Sequence, residues 1–180
     1  VQSVGFILAK ALARGGYHIF ADQDYESRVR GGHNFYRVSA ADSQIAAIAD
    51  KAMPVMAFSD GRMCSAAYSL AAGANLVAAT ASAQIGSIGT ISAMVDSSLA
   101  HEMAGLKVEV FASGKFKGMG FPGTTLTEEQ RADIMAGVMA YDQMFKDHIR
   151  AHRAAVTDDT MQGQTFTGLQ ASKNGLVDLL

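Results

Sequence analysis

The chain has 180 residues, about one domain by length, and 49% of them are hydrophobic against 18% charged, which excludes a disordered chain. Its formal net charge is −2, so it has no basic excess of the kind that nucleic-acid binding draws on. A single cysteine, Cys64, excludes an internal disulfide framework and permits a reducing compartment.

In chain order, Val4, Ile7, Leu8, Ala11 and Leu12 have helical spacing, and Gly15-Gly16 stops that helix. Tyr17 to Ala21 reads as a short strand, Asp22 to Arg30 as a polar loop, and His33 to Val38 as a weakly alternating strand. The character changes near Ala40 to Ser43, where a connection leads into a helix ending at Lys51. Pro54 to Ser59 is a buried strand closed by Asp60-Gly61, and Cys64 to Ala72 a small-residue helix ended by Gly73. Asn75 to Thr80 is the next strand. The turn Gly86-Ser87-Ile88-Gly89 leads to a third strand near Thr90 to Val95. A short helix, Leu99 to Ala104, and an alternating strand, Lys107 to Ala112, follow.

Ser113 to Thr125 holds four glycines and Pro122 and is a loop. Thr127-Glu128-Glu129-Gln130 fits a capping box, and the long helix behind it places Ile134, Val138, Tyr141, Phe145 and Ile149 on one face. Thr165 to Leu180 reads as a short helix, a Gly175 cap and a final strand. Alternating strands and helices predict an α/β fold, a mainly parallel sheet covered by helices with a long helix toward the C-terminus. No membrane span is visible. The apolar run Ala66 to Ala83 is interrupted by Ser69, Gly73, Asn75, Thr80 and Ser82, whereas a spanning helix needs about 20 predominantly apolar residues.

For chemistry, a serine needs a base to become a nucleophile. His18, His33, His101, His148 and His152 all lie outside the Gly-rich, small-residue stretches that would let a backbone approach a substrate. A lysine in an apolar, Gly-rich surround serves instead when burial lowers its pKa. Lys115 and Lys117, in Ser-Gly-Lys-Phe-Lys-Gly, occupy such a setting. Ser65 stands where a strand and turn give way to a helix, beside free N–H groups and the positive end of the helix dipole. By spacing alone it reads either as a nucleophile or as an N-cap, with the cap favoured. Lys117 likewise reads as a base or a solvated loop lysine, and Ser87 as a functional hydroxyl or a turn serine. Cys64 is a buried small hydrophobe. His148 and His152, one helical turn apart, lack a third metal ligand and read as a solvated helix face.

From about Ser43 to Leu180 the chain resembles the signal peptide peptidase (SppA-type) family, including its prophage-encoded members. The resemblance is carried by Pro54-Val-Met-Ala-Phe-Ser-Asp-Gly61, Cys64-Ser-Ala-Ala-Tyr68, Gln84-Ile-Gly-Ser-Ile-Gly89, Ala104-Gly-Leu-Lys-Val108, Ser113-Gly-Lys-Phe-Lys117, and Gly163-Gln-Thr-Phe-Thr-Gly168 with Gly175-Leu-Val-Asp178, all in the family's order. It implies a crotonase-like or Clp-like fold and a Ser-Lys dyad. Ser65 matches the nucleophile, Lys117 rather than Lys115 the base, Ser87 the hydroxyl that holds the lysine amine, and the N–H of Ala66 one oxyanion donor. Where the family often has Ser-Gly-Gly, this chain has Ser65-Ala66-Ala67, a form shared by phage-type relatives.

The implied activity is a serine endopeptidase acting on peptides, unfolded proteins or signal peptides, with no metal or organic cofactor. The implied assembly is a homo-oligomeric ring whose neighbouring protomers complete the active sites. The implied setting is cytoplasmic or membrane-associated in a bacterium or prophage, any anchor lying ahead of Val1.

Residues 1 to 42 stand apart from 43 to 180. Ile7-Leu-Ala-Lys-Ala-Leu12 and Arg30-Gly-Gly-His-Asn-Phe-Tyr36 resemble the gamma-type domain of 2-oxoacid:ferredoxin oxidoreductases. The Gly-rich turn that supplies the second oxyanion donor in the peptidase family is not evident ahead of Ile45. Two alternatives therefore stand beside the peptidase: a fragment or subunit of such an oxidoreductase, which would need partner subunits because this chain lacks cluster cysteines, and an inactive scaffold with the peptidase fold.

Overall fold

The computed structural model describes residues 54–180 throughout and, ahead of them, the backbone of Ala9–Leu12 and Tyr17–Ile19. The expected strand at His33 to Val38, the helix ending at Lys51 and the boundary between 42 and 43 lie outside the described residues.

Ala9–Leu12 (β1) and Tyr17–Ile19 (β2) pair antiparallel, with Ala9 opposite Ile19 and Leu12 opposite Tyr17. Ala9–Leu12, expected to close a helix that begins at Val4, is instead a strand, and Val4 to Leu8 lie outside the described residues. Spacing is a weak prior, and pairing with β2 satisfies the same backbone groups a helix would. The strand expected from Tyr17 is present.

The chain divides into two compact units, residues 1–89 with 142–180 and residues 90–141. In the first, Met56–Ser59 (β3) and Leu76–Ala79 (β5) pair in parallel, Met56 opposite Leu76 and Ser59 opposite Ala79. Arg62–Cys64 (β4) and Gln84–Gly86 (β6) form a second parallel pair, with Cys64 opposite Gly86. Thr165–Thr167 (β7) adds to β6 antiparallel, and Leu179 bridges Ala78 in parallel near the end of the chain. Helix Ala66–Ala72 (α1) supplies the crossover between the parallel strands, as parallel pairing requires. Gly73 ends it, as expected from the sequence.

The core of this unit is Met63, Tyr68, Val77, Ile85, Ile88, Met161 and Leu176, joined by Phe145 and Ile149 from the long helix Glu128–His152 (α3). Tyr68 is fully buried, and its hydroxyl donates to the Leu176 carbonyl at 2.9 Å. Arg153, just past α3, is also buried. Its guanidinium donates to the Ala72 and Ala74 carbonyls at 3.2 and 2.6 Å and to the Asp178 carboxylate at 2.7 Å. That fork ties together the end of α1, the start of β5 and the C-terminal segment. Helix Gly168–Lys173 (α4) opens with a full capping box, Thr167 and Gln170 each satisfying the other's backbone N–H.

The second unit contains helix Ser98–Met103 (α2) and the first turns of α3. The capping box expected at its start is present. The Thr127 N–H donates to Gln130 Oε1 at 3.1 Å, and the Gln130 N–H to Thr127 Oγ1 at 3.2 Å. The strands expected at Thr90 to Val95 and Lys107 to Ala112 do not form. Both segments carry apolar residues that no sheet face covers: Ile91, Val95 and Phe111 are 88%, 87% and 93% exposed. Alternation predicts a strand only where a partner strand is there to pair with. The Gly-rich segment from Ser113 is a loop, as expected.

Taken together, this is an α/β fold of parallel strand pairs covered by helices, with a long helix toward the C-terminus, as the sequence predicts. The order departs from expectation in placing strands at Arg62–Cys64 and Gln84–Gly86 rather than after Gly89.

Candidate active site

Because β4 and β6 run parallel and in register, their C-terminal ends lie side by side. The chain leaves β4 at Ser65 and β6 at Ser87. The Ser65 N–H donates to the Gly86 carbonyl at 2.7 Å, so the two serines occupy adjacent exits of one sheet edge. In parallel sheets that carboxyl edge is where ligands bind.

Both exits are strained. Ser65 has φ 55° and ψ −125°, and Ser87 has φ 52°. Among the described residues these are the only non-glycine residues with positive φ. A side chain held in that region costs about 1–3 kcal/mol, and such strain clusters at functional sites.

Ser65 stands at the N-cap position of α1, yet its side chain makes no capping hydrogen bond. The side chain is exposed, and the Ser65 carbonyl accepts from the Ser69 N–H at 3.0 Å, the first helical bond. A strand, a sharp turn bearing a serine at positive φ, and then a helix is the geometry that projects a serine hydroxyl out of a sheet for nucleophilic attack. The Ala66 N–H opens α1, where the first-turn donors have no intrahelical partner.

Ser87 is half-buried and held from the other side. Its N–H donates to the Gln164 carbonyl at 2.6 Å, while the Gly163 N–H donates to the Ile88 carbonyl at 2.8 Å. Gly86, at φ 111°, is needed here, since a Cβ would sit 2.9 Å from the Gln164 oxygen. Nothing in the residue types marks Gln164 for a role. The only signal was its place in the Gly163-Gln-Thr-Phe-Thr-Gly168 string, because its contact with Ser87 is made by backbone.

Cys64 is half-buried, with its thiol directed to the Gln84 carbonyl at 3.4 Å. Burial pushes its pKa up, and the nearby Arg62 opposes this only in part. A thiol so placed is a poor thiolate source, although Cys64 is half-buried rather than buried as expected. His148 Nε2 lies 3.0 Å from the Ser69 carbonyl, and its ring centroid is 4.6 Å from that of His152. Burial, then the His152 charge, lowers the His148 pKa. His148 is thus partly built into the fold rather than on the solvated face expected for it. Among the described residues no group of three or more His, Cys, Asp or Glu is placed to hold a metal, and no helix is long and apolar enough to cross a membrane.

Ser65, Ala66 and Ser87 share one unit, and Lys117 belongs to the other. Within that unit Lys117 is exposed, its N–H donates to the Gly114 carbonyl at 2.9 Å, and it lines an open cleft of about 480 Å³ with Ser113, Lys115, Thr125 and Gln130. Lys115 is engaged by the Glu129 carboxylate, and its carbonyl accepts from Gln130 Nε2 at 2.7 Å. Lys115 is thus ion-paired with Glu129 of α3.

The described residues thus place a serine at positive φ between a strand and a helix, on the carboxyl edge of a parallel strand pair. The chain matches the profile of peptidase family S49 over residues 47–180, and it belongs to that family. It is similar to the capsid assembly protease C of Escherichia phage lambda, 31% identical over 130 residues that make up 71% of this chain and 29% of that protein. It is also similar to an Enterococcus faecium protein provisionally named signal peptide peptidase SppA, 27% identical over 150 residues, 82% of this chain and 44% of that one. The chain thus spans less than half the length of these curated relatives. Among solved structures it is similar to an enoyl-CoA hydratase/isomerase family member, at 17% identity and a TM-score of 0.41, covering 79% of this chain and 37% of that one.

Proposed function

We propose that this chain is the core of a serine endopeptidase in which Ser65 is the nucleophile, Lys117 the general base, Ser87 the hydroxyl that positions the lysine amine, and the Ala66 N–H an oxyanion donor. The observation that carries the reading is the backbone of Ser65, held at positive φ between β4 and α1 with its hydroxyl free of any capping duty. A residue that served only as a cap would adopt the ordinary β-region conformation and bond the first turn.

In the proposed reaction Ser65 Oγ attacks the scissile carbonyl as its proton passes to Lys117 Nζ. The oxyanion of the tetrahedral intermediate is met by the Ala66 N–H. Collapse breaks the C–N bond, the leaving amine takes the proton from Lys117, and an ester remains on Ser65. Water, deprotonated by Lys117, then hydrolyses the ester and returns the proton to Ser65. The sequence of events needs no metal or organic cofactor.

The substrates are extended polypeptides, signal peptides and unfolded proteins among them. The working form is a homo-oligomeric ring of crotonase-like or Clp-like protomers, and the peptidase domain spans residues 43–180, after an N-terminal segment of residues 1–42. Light scattering on the purified chain tests the oligomer.

The chemistry is tested by fluorophosphonate labelling and by cleavage of an unstructured protein such as casein. The wild type is expected to label at Ser65 and to cleave, while Ser65→Ala and Lys117→Ala do neither and Lys115→Ala does both. Full cleavage by Ser65→Ala would overturn the assignment. A wild type that neither labels nor cleaves, as a ring or as a monomer, would favour the inactive scaffold.

A further inference from the structure

Ser87 does not hold its strained conformation alone. The antiparallel ladder between β6 and β7 ends with Gly86 opposite Thr165. Past that point the segment 163–164 continues to clasp the turn through the Gln164 carbonyl on the Ser87 N–H and the Gly163 N–H on the Ile88 carbonyl.

Beside the ladder, the Gln164 side chain ties the clasp to the preceding turn. Its Oε1 accepts from the Gln162 N–H at 2.9 Å, and its Nε2 donates to the Asp159 carbonyl at 2.7 Å. Asp159 lies in the 3-10 turn Asp158–Thr160. That turn is fastened in two further places: Gln162 Nε2 donates to the Asp158 carbonyl at 2.9 Å, and the Arg150 guanidinium pairs with the Asp158 carboxylate at 2.6 Å. An exposed amide would gain little by itself from two bonds that water can replace. Here both bonds converge on the one residue whose carbonyl fixes Ser87.

We propose that Gln164 is a positioning residue for catalysis: its side-chain amide braces the 158–164 strap so that its carbonyl holds Ser87 in the strained conformation from which the hydroxyl orients the general base. The proposal rests on the Ser-Lys reading above. Gln164 touches neither substrate nor the reacting atoms.

The test is a double-mutant cycle between Gln164→Ala and Ser87→Ala on the full chain. It reads kcat and KM for casein cleavage, the rate of fluorophosphonate labelling at Ser65, and the thermal midpoint. Gln164→Ala is expected to lower kcat and the labelling rate by roughly tenfold to a hundredfold, the scale that misplacement of a reacting group produces, with KM within about twofold. In the Ser87→Ala background the same change is expected to cost nothing further, because the group it positions is gone. Gln164→Glu, which keeps the acceptor for the Gln162 N–H but loses the donor to Asp159, is expected to fall between.

Equal losses from Gln164→Ala with and without Ser87, or no loss in either, would overturn the proposal. So would a wild-type labelling rate in Ser87→Ala while Ser65→Ala is inert, which removes the role of Ser87 and leaves the nucleophile standing. Activity in Ser65→Ala would instead overturn the Ser-Lys reading itself, a separate outcome of the same assays.

Discussion

If Ser65 stores backbone strain, removing its Cβ should release it. The informative comparison is Ser65→Gly against Ser65→Ala, since both lack the hydroxyl and differ only in the Cβ. At φ 55° and ψ −125° the Cβ crowds the backbone at a cost of about 1–3 kcal/mol. Glycine also loses more freedom on folding, which returns about 0.5–1 kcal/mol of that gain. The balance is a stabilisation of Ser65→Gly over Ser65→Ala of about 1 kcal/mol, or about 2–4 °C in Tm for a chain of this size. Ala136, exposed in the interior of α3, is the control. There Ala→Gly should cost about 1 kcal/mol and lower Tm by a similar amount. Thermal unfolding followed by circular dichroism reads both. A Ser65→Gly variant that melts at or below Ser65→Ala would refute the strain argument, and with it the observation on which the function rests. Neither Ser65 variant is expected to cleave casein.

Other perturbations have equally definite signs. Gly86→Ala forces a side chain to φ 111° and sets its Cβ 2.9 Å from the Gln164 carbonyl oxygen, so it should destabilise by about 2–4 kcal/mol in urea unfolding. Gly89→Ala, whose Cβ would meet Gly163 at an ordinary 3.6 Å, should cost about 0.5 kcal/mol or less. Arg153→Met leaves the Ala72 and Ala74 carbonyls without that donor and the Asp178 carboxylate with the Val77 N–H but no guanidinium, and should cost about 3 kcal/mol or more. Arg153→Lys should recover only part of this, because a point charge cannot fork three acceptors. Burial depresses the His148 pKa below the ordinary 6.5. The unfolded chain therefore takes up a proton that the folded chain refuses as pH falls through that value, and stability declines until the folded pKa is reached. His148→Gln should flatten that decline when Tm is followed from neutral pH downward; an unchanged slope would remove His148 as its source.

Much of the local structure was legible because it depends on neighbours in sequence. The run Pro54 to Ser59, the small-residue helix ending at Gly73, the capping box of Thr127 and Gln130, and the long helix behind it all follow from spacing, caps and breakers within a few residues. The ordered motifs also singled out Ser65 and Ser87, the two residues that prove to be the described non-glycine positions of positive φ.

What the sequence could not carry was anything set by partners far along the chain. Val4 to Leu12 has helical spacing, but pairing with β2 makes a strand of Ala9–Leu12. Thr90 to Val95 follows a Gly-rich turn and Lys107 to Ala112 alternates, both as strands would, yet among the described residues no ladder forms to pair them. The Arg62–Cys64 strand, hidden in a short mixed run, exists because Gln84–Gly86 lies in register beside it. That register alone decides that Ser65 and Ser87 leave the sheet as neighbours. The strap from 163 to 164, some 77 residues beyond Ser87, then decides how the second serine is held. Residue types and local periods determined which side chains could do chemistry. Only the tertiary structure, through backbone hydrogen bonds between distant segments, determined which of them meet and which are held under strain.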